Sequence, residues 1–400
     1  MEKRILVVDD SALMRRVASD IINSDSRYHV EDTAADGQIA LDLLRKKSYD
    51  AVVLDVNMPK MNGLELLRNL RDEKINVRVM MFSSTTSQGA RETLEALELG
   101  AIDFIKKPDG LAEVKGDSFK DKFLEMLGVV AGASLVGVSR KTAPARTPSV
   151  SRSPADEKSP EPPWRRKENT EPAAKSSTVP KTFGHGSFTV RDPIDKEIVL
   201  RPKGSKVTGE KIVALASSTG GPRALQSVIP LLPQNLDAAV LLVQHMPEGF
   251  TKSLAERLNT LSKMKVVEAT DGETIQKGTV YISAGGRHMN AVRSGGSMKI
   301  KYTDQPQREG VRPSANYMYE SLEDSPFAEI CCVVLTGMGA DGTAGIRNLD
   351  EKKKIYVIAQ DEPTSAVYGM PKAVAQAGLV SEILPLDKIA DAITKDVGVR

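Results

Sequence analysis

Two groups of side chains in this 400-residue chain have the types and spacing for chemistry. The first is acidic. Asp9 and Asp10 directly follow the β-branched run ILVV, and Asp55 closes the run AVVLD, so a sheet carrying both runs gathers three carboxylates above one edge. Donors that are all oxygen suit a hard cation such as Mg2+, which keeps several waters and leaves room for an incoming phosphoryl group. Ser83, at the end of VRVMMFS, adds a hydroxyl for a phosphoryl oxygen, and Lys107, in DFIKKP, adds a charge to pair with it. Ser84 and Lys106 stand next to these two and compete for the same roles.

The second group is a serine, a histidine and an aspartate. KIVALASSTGGPRAL reads as strand, tight turn and helix, with Ser218 at the turn and Gly220 and Gly221 allowing a close backbone approach. The pattern Ala216-x-Ser218-x-Gly220 resembles a nucleophile elbow with Ala in place of the first Gly; a turn serine can equally cap the helix that follows. AAVLLVQHMPEGF puts His245 at another strand end, where an imidazole can take a serine proton and return it to a leaving group. The chain has 4 histidines. His29 lies in the first α/β segment and His185 in a Pro-rich stretch, which leaves His245 and, in SAGGRHMN, His288 as possible bases. Asp341, after the strand CCVVLTG and inside a Gly-rich turn, is placed to orient an imidazole. That turn also offers free main-chain N–H groups, with Met338 the candidate oxyanion-hole donor.

The elements that must position these groups follow from periodicity. From Ile5 to about Leu127, short β-branched runs alternate five times with helix-period stretches, which predicts a parallel sheet with helices on both faces and its site at the carboxyl ends of the strands. Between about Lys141 and Lys206 the composition shifts: the stretch holds 10 of the 22 prolines, many serines, and 14 Lys+Arg against 8 Asp+Glu. That is a flexible-linker composition. From about Val207, β/α alternation resumes with KIVALASS, AAVLLVQH, AEICCVVLTG and KIYVIAQ as strands. The region from DGETIQKG to SMKIKYT reads as hairpins, which predicts antiparallel strands at one side of this second sheet. The expected organisation is two doubly wound α/β domains, residues 1–128 and 207–400, joined by a flexible linker over 129–206. The first is flavodoxin-like with five parallel strands; the second is mostly parallel with some hairpin strands.

Bulk properties narrow the classes. Lys+Arg of 55 against Asp+Glu of 53 gives no call for nucleic acid or an anionic membrane. No uninterrupted apolar run reaches the roughly 18 residues of a membrane span, so no membrane insertion and a cytoplasmic location are expected. The 2 cysteines, Cys331 and Cys332, are adjacent within an apolar run, which suits buried core residues rather than metal ligation.

VVDD, VVLDVNMPKMNGLELL, Ser83 and Lys107-Pro108 together resemble the receiver domain of two-component response regulators. That resemblance implies phosphorylation of Asp55 by a histidine kinase of a chemotaxis system, with Mg2+ held by Asp9, Asp10, Asp55 and Asn57. Phe104 sits where such domains often carry an aromatic that reports phosphorylation, or is simply core. In the second half, ASSTGGP, QHMPEGFT, GGRHM, RPSANYMYESL, LTGMGADG and AQDEPTSAVYGMPKAV resemble, in order, the catalytic domain of the chemoreceptor methylesterases. This implies Ser218 as nucleophile, His245 as general base and Asp341 as its orienter, with no cofactor for the esterase. The implied reactions are hydrolysis of glutamate γ-methyl esters on methyl-accepting chemoreceptors and deamidation of receptor glutamines. Two positions depart from the common pattern: Asn316 stands where many relatives carry Asp, and Ala284 where Pro is common. Two other readings keep the same residues: a receiver-controlled serine esterase or amidase on another protein, and a noncatalytic receiver-output binding protein, the latter without a helix-turn-helix signal. In the linker, Trp164 of PPWRRK is either a docking anchor or passive chain.

Overall fold

The computed structural model describes residues 2–83, 87–108, 117–133, 198–202 and 207–400. Ser84, His185, Trp164 and most of the expected linker lie outside the described residues. In the amino-terminal half the run ILVV becomes the core of β1 (Lys3–Val8), followed by α1 (Ala12–Asn23), β2 (Tyr28–Ala34), α2 (Gly37–Lys46), β3 (Ala51–Leu54), α3 (Gly63–Asp72), β4 (Val79–Ser83), α4 (Ser87–Leu99), β5 (Asp103–Lys106) and α5 (Asp117–Gly132). The strands form one sheet in the order β2-β1-β3-β4-β5, paired in parallel throughout. Polar caps start the helices: Ser11 accepts from Met14 N, Asp36 accepts from Ile39 N, and Asn62 forms a reciprocal capping box with Glu65. Helix α5 runs through the expected boundary at residue 128, because Val130 and Ala131 still pack with Phe123 and Leu127 in the same apolar core.

The carboxy-terminal half contains β6 (Lys211–Ser217), α6 (Gly221–Val228), β7 (Val240–Gln244), α7 (Phe250–Leu261), β8 (Lys265–Glu268), β9 (Thr279–Ile282), the hairpin β10 (His288–Ser294) and β11 (Ser297–Thr303), α8 (Ala315–Glu320), β12 (Glu329–Val334), α9 (Thr343–Asp350), β13 (Ile355–Gln360), α10 (Met370–Gln376), β14 (Glu382–Leu384) and α11 (Leu386–Val397). Its large sheet has the order β14-β13-β12-β6-β7-β9-β8. All of its pairings are parallel. The expected hairpin region therefore divides. TVYI is β9, buried on both faces as an inner parallel strand must be, whereas β10 and β11 form a separate antiparallel ribbon, with Thr274 bridged antiparallel to Lys299 of β11. Residues 198–202, expected as linker, dock on this half: Arg201 N donates to Val380 O and its guanidinium meets Asp350 at 2.7 Å.

The two halves pack on one another through a continuous apolar cluster. Phe104 of β5 stacks on Phe250 at the start of α7, centroids 4.5 Å apart at 23°. Around this stack, Arg91 and Glu98 of α4 pair with Glu256 and Arg257 of α7, the second pair at 2.7 Å. Phe104 is thus buried across the interface, an interaction the first half alone does not reveal. Among the described residues no helix is long and apolar enough to cross a membrane.

Candidate functional sites

At the carboxyl end of the first sheet, β1 delivers Asp9 and Asp10 and β3 delivers Asp55. One oxygen from each of these three carboxylates lies within 4.8 Å of the other two. Lys107 Nζ sits between two of them, 2.7 Å from Asp9 Oδ2 and 2.8 Å from Asp55 Oδ2. Main-chain donors fix the remaining oxygens: Ser11 N to Asp9 Oδ1 and Val56 N to Asp55 Oδ1. Asp9 Oδ2 is buried against the Lys107 ammonium, and this one lysine faces three acids. The donor set fits a small divalent cation. Burial raises the Asp55 carboxyl to about 6, against the pull of Lys107 and with a smaller push from Asp9. Burial also opposes the charge on Lys107, but Asp55 and Asp9 outweigh it and hold its pKa above the ordinary value.

Ser83 and Asn57 are placed differently from the acids. The Ser83 hydroxyl is buried and turned to α4: Thr93 Oγ1 donates to it at 2.5 Å, and it lies 3.4 Å from Gly89 O. Asn57 is exposed and donates its side-chain amide to Glu92 at 3.2 Å.

The second site stands on three adjacent strands of the large sheet, β12, β6 and β7. Ser218 directly follows β6, His245 directly follows β7, and Asp341 lies in the turn between β12 and α9. Ser218 is held by its main chain: its N–H donates to Thr336 O, and its carbonyl accepts from Gly221 N and from the Gln244 amide. Gly221 is required here, because a Cβ would overlap the Gln244 side chain. Gly337 presses on the serine from β12's side; a Cβ there would lie 2.8 Å from Ser218 Cβ. The next residue is Met338, whose main-chain N–H has no partner among the described residues.

Asp341 is buried and all its acceptor positions are engaged. Oδ2 takes hydrogen bonds from His245 Nε2 at 2.8 Å and Ala315 N at 2.6 Å; Oδ1 takes them from Ser314 Oγ at 2.7 Å and Asn316 N at 3.1 Å. Burial opposes its ionisation, but the bonds from His245, Ser314 and Ala315 prevail and its pKa falls below the ordinary carboxylate value. With Nε2–H given to Asp341, His245 keeps Nδ1 as its free acceptor. His288 is not at this centre. It is fully buried between the ribbon and α8, so of the two possible bases His245 is the one that meets Asp341.

Asn316 has a definite job. Its Oδ1 accepts from Gly342 N and Gly345 N, bracing the turn after Asp341, while its amide donates to Glu309 at 2.8 Å. Periodicity did not reveal the carboxylate cradle formed by Ser314, Ala315 and Asn316. The quoted run RPSANYMY was its only sequence signal.

A family model described as CheB methylesterase matches residues 213–393, and one described as response regulator receiver domain matches residues 5–116. A protein-glutamate methylesterase/protein-glutamine glutaminase of Geobacillus kaustophilus is 40% identical over 396 residues, 99% of each chain. The chain belongs to the CheB methylesterase family. A like-named relative from Bacillus subtilis is 37% identical over 397 residues, 98% of each chain. The crystal structure of the Thermotoga maritima CheB methylesterase catalytic domain matches with 40% identity over 47% of this chain and 99% of its own, with a TM-score of 0.45.

Proposed function

We propose that this chain is a phosphorylation-controlled protein-glutamate methylesterase that also deamidates glutamine, acting in the cytoplasm on methyl-accepting chemoreceptors. Residues 1–128, with the rest of α5 to Gly132, form its receiver and 207–400 its catalytic domain. The reading is supported by the bond between His245 and Asp341, with Ser218 directly after β6, the strand between β12 and β7. Ser218 Oγ attacks the ester carbonyl while His245 Nδ1 takes its proton. The tetrahedral oxyanion faces the unpaired Met338 N–H. His245 returns the proton to the leaving methoxide, and methanol departs. Water, activated by the same imidazole, then releases the glutamate carboxylate and regenerates Ser218. A glutamine follows the same path with ammonia as leaving group. Asp341 stays ionised throughout, which its full set of donors favours.

In the receiver, Asp55 accepts phosphate from a chemotaxis histidine kinase, with Lys107 and Ser83 contacting the phosphoryl group. Asp9, Asp10, Asp55 and Asn57 would hold Mg2+, whose charge would offset that of the incoming group. The unphosphorylated receiver restrains the catalytic half: the Thr219 hydroxyl, next to Ser218, bonds to Asp103 of the receiver, and Val367, whose carbonyl binds Gly337 N, packs on the receiver core. The deciding experiment is methanol release from methylated receptor membranes, with and without a small phosphodonor plus Mg2+. Wild type is expected to release methanol faster on phosphorylation and Ser218→Ala to release none. Folded wild type that releases none, yet cleaves a small aryl ester, would assign the site to another substrate.

A further inference from the structure

The buried His288 has no place in the reaction just described, yet its bonds lead to it. It opens β10, is fully buried, and packs edge-on to Tyr317 with ring centroids 4.6 Å apart. Ser314 N donates to its Nδ1 at 3.1 Å, and a main-chain N–H can only donate, so Nδ1 carries the lone pair. Its other nitrogen, Nε2, stands 3.2 Å from Pro306 O, which can only accept, so Nε2 carries the proton. The two partners together fix one neutral tautomer. Burial, reinforced by Arg312, lowers its pKa, against opposing pulls from the Pro306 and Gln305 carbonyls and from Asp341.

Ser314 is the residue this imidazole pins. From it start three of the four bonds on the catalytic carboxylate: its own hydroxyl and the N–H groups of Ala315 and Asn316. Ser314 is itself fully buried, and it precedes a helix of 6 residues, too short to hold its own orientation without an anchor. The imidazole supplies that anchor at the main chain just before the cradle. Any turn of Ser314 about its backbone rotates the whole cradle, and with it the oxygen that His245 addresses.

We propose that His288 is a positioning residue for the esterase reaction: its Nδ1 holds the Ser314 main chain so that the Ser314-Ala315-Asn316 cradle aims Asp341 at His245. This rests on the Ser218-His245-Asp341 reading above. It demands an acceptor at the Nδ1 position, a requirement that ordinary core packing does not impose. Asn places a carbonyl oxygen near that position; Gln places its amide near Nε2 and leaves Ser314 N unpaired.

The test compares full-length, phosphorylated wild type, His288→Asn, His288→Gln and Ser314→Ala by methanol release and by the downfield proton resonance of the His245–Asp341 bond. His288→Gln is expected to lose about ten- to a hundredfold in kcat, with KM changed by less than about twofold and the resonance lost or shifted upfield. His288→Asn is expected to recover most of that loss together with the resonance. Ser314→Ala, which keeps the main-chain bond to His288, is expected to lower kcat without disturbing the His288 ring signals, and it serves where His288→Gln does not fold. Equal kcat in the Asn and Gln variants, or a loss confined to KM, overturns the proposal, as does a Ser314→Ala enzyme with wild-type kcat. Wild type without methanol release would defeat the esterase reading alone; the resonance in the two His288 variants would still decide whether Nδ1 positions Asp341.

Discussion

Asp341, in the proposed triad, is set by what surrounds it. Four donors hold it ionised and aimed, and one of them is the His245 imidazole. Asp341→Asn keeps the shape but presents an N–H where His245 needs an acceptor. We expect kcat to fall about a thousandfold or more while KM stays near wild type, read by methanol release. Asn316 allows a second prediction. An aspartate there would face Glu309, now 2.8 Å from the Asn316 amide, carboxylate to carboxylate. Asn316→Asp should lower unfolding free energy by about 1–3 kcal/mol at pH 7, and adding Glu309→Gln should restore most of it, as measured in a denaturant double-mutant cycle. The sequence shows which types of residue stand at the strand ends, so Ser218, His245 and Asp341 were legible there. It does not show how a buried amide chooses its partners. The pairing of Asn316 with Glu309, and of His288 with Ser314, depends on three-dimensional proximity between segments with no shared periodicity.

At the scale of elements, α4 has two working faces. One carries Thr93 inward to the Ser83 hydroxyl; the other carries Arg91 and Glu98 outward to α7. The outward pairs are partly exposed, so each contributes little, on the order of 0.2–1 kcal/mol. Arg257→Glu places a carboxylate against Glu98 and should raise the activity of the unphosphorylated enzyme about two- to fivefold. Combining it with Glu98→Arg should return activity to the starting level, and unchanged single-variant activity would show that this pair does not restrain the enzyme. The parallel strands of both halves were legible because inner strands are uninterrupted apolar runs ending in a polar residue. The ribbon was not correctly separated from the large sheet: TVYI and HMNAVRS both alternate weakly, and only the burial of TVYI on both faces distinguishes an inner strand from a hairpin arm.

The whole molecule joins a charge switch to a hydrolase through a largely apolar contact. Asp103 is its least comfortable member. Burial raises its carboxyl from the ordinary 3.8 to about 6, against the hydrogen bonds from Thr219 and Phe104 N. The docked form therefore binds this proton more tightly than an opened form that returns the carboxyl to water. Its contribution to docking is full below pH 3.8 and is lost as pH rises through 6. Asp103→Asn should remove that slope, tighten docking at pH 7 and lower the unphosphorylated rate of methanol release; a faster variant would reverse the assigned sign. A catalytic fragment of residues 207–400 should outpace the unphosphorylated whole, and a fragment no faster would rule out restraint by contact. Neither Asp103 nor its partner announced itself in sequence, since an interface between two halves has no period of its own.

The hydrogen bond between Thr93 and Ser83 has a consequence on the other side of the ledger. A serine hydroxyl that turns to a phosphoryl oxygen must loosen its hold on α4, and α4 is the helix seated on the hydrolase. Linkage runs equally in both directions: whatever free energy phosphorylation removes from docking, docking removes from phosphorylation. The hydrolase is then an effector of its own regulator, and the receiver cut free of it should reach the same phosphorylated fraction at a lower concentration of phosphodonor than the intact chain.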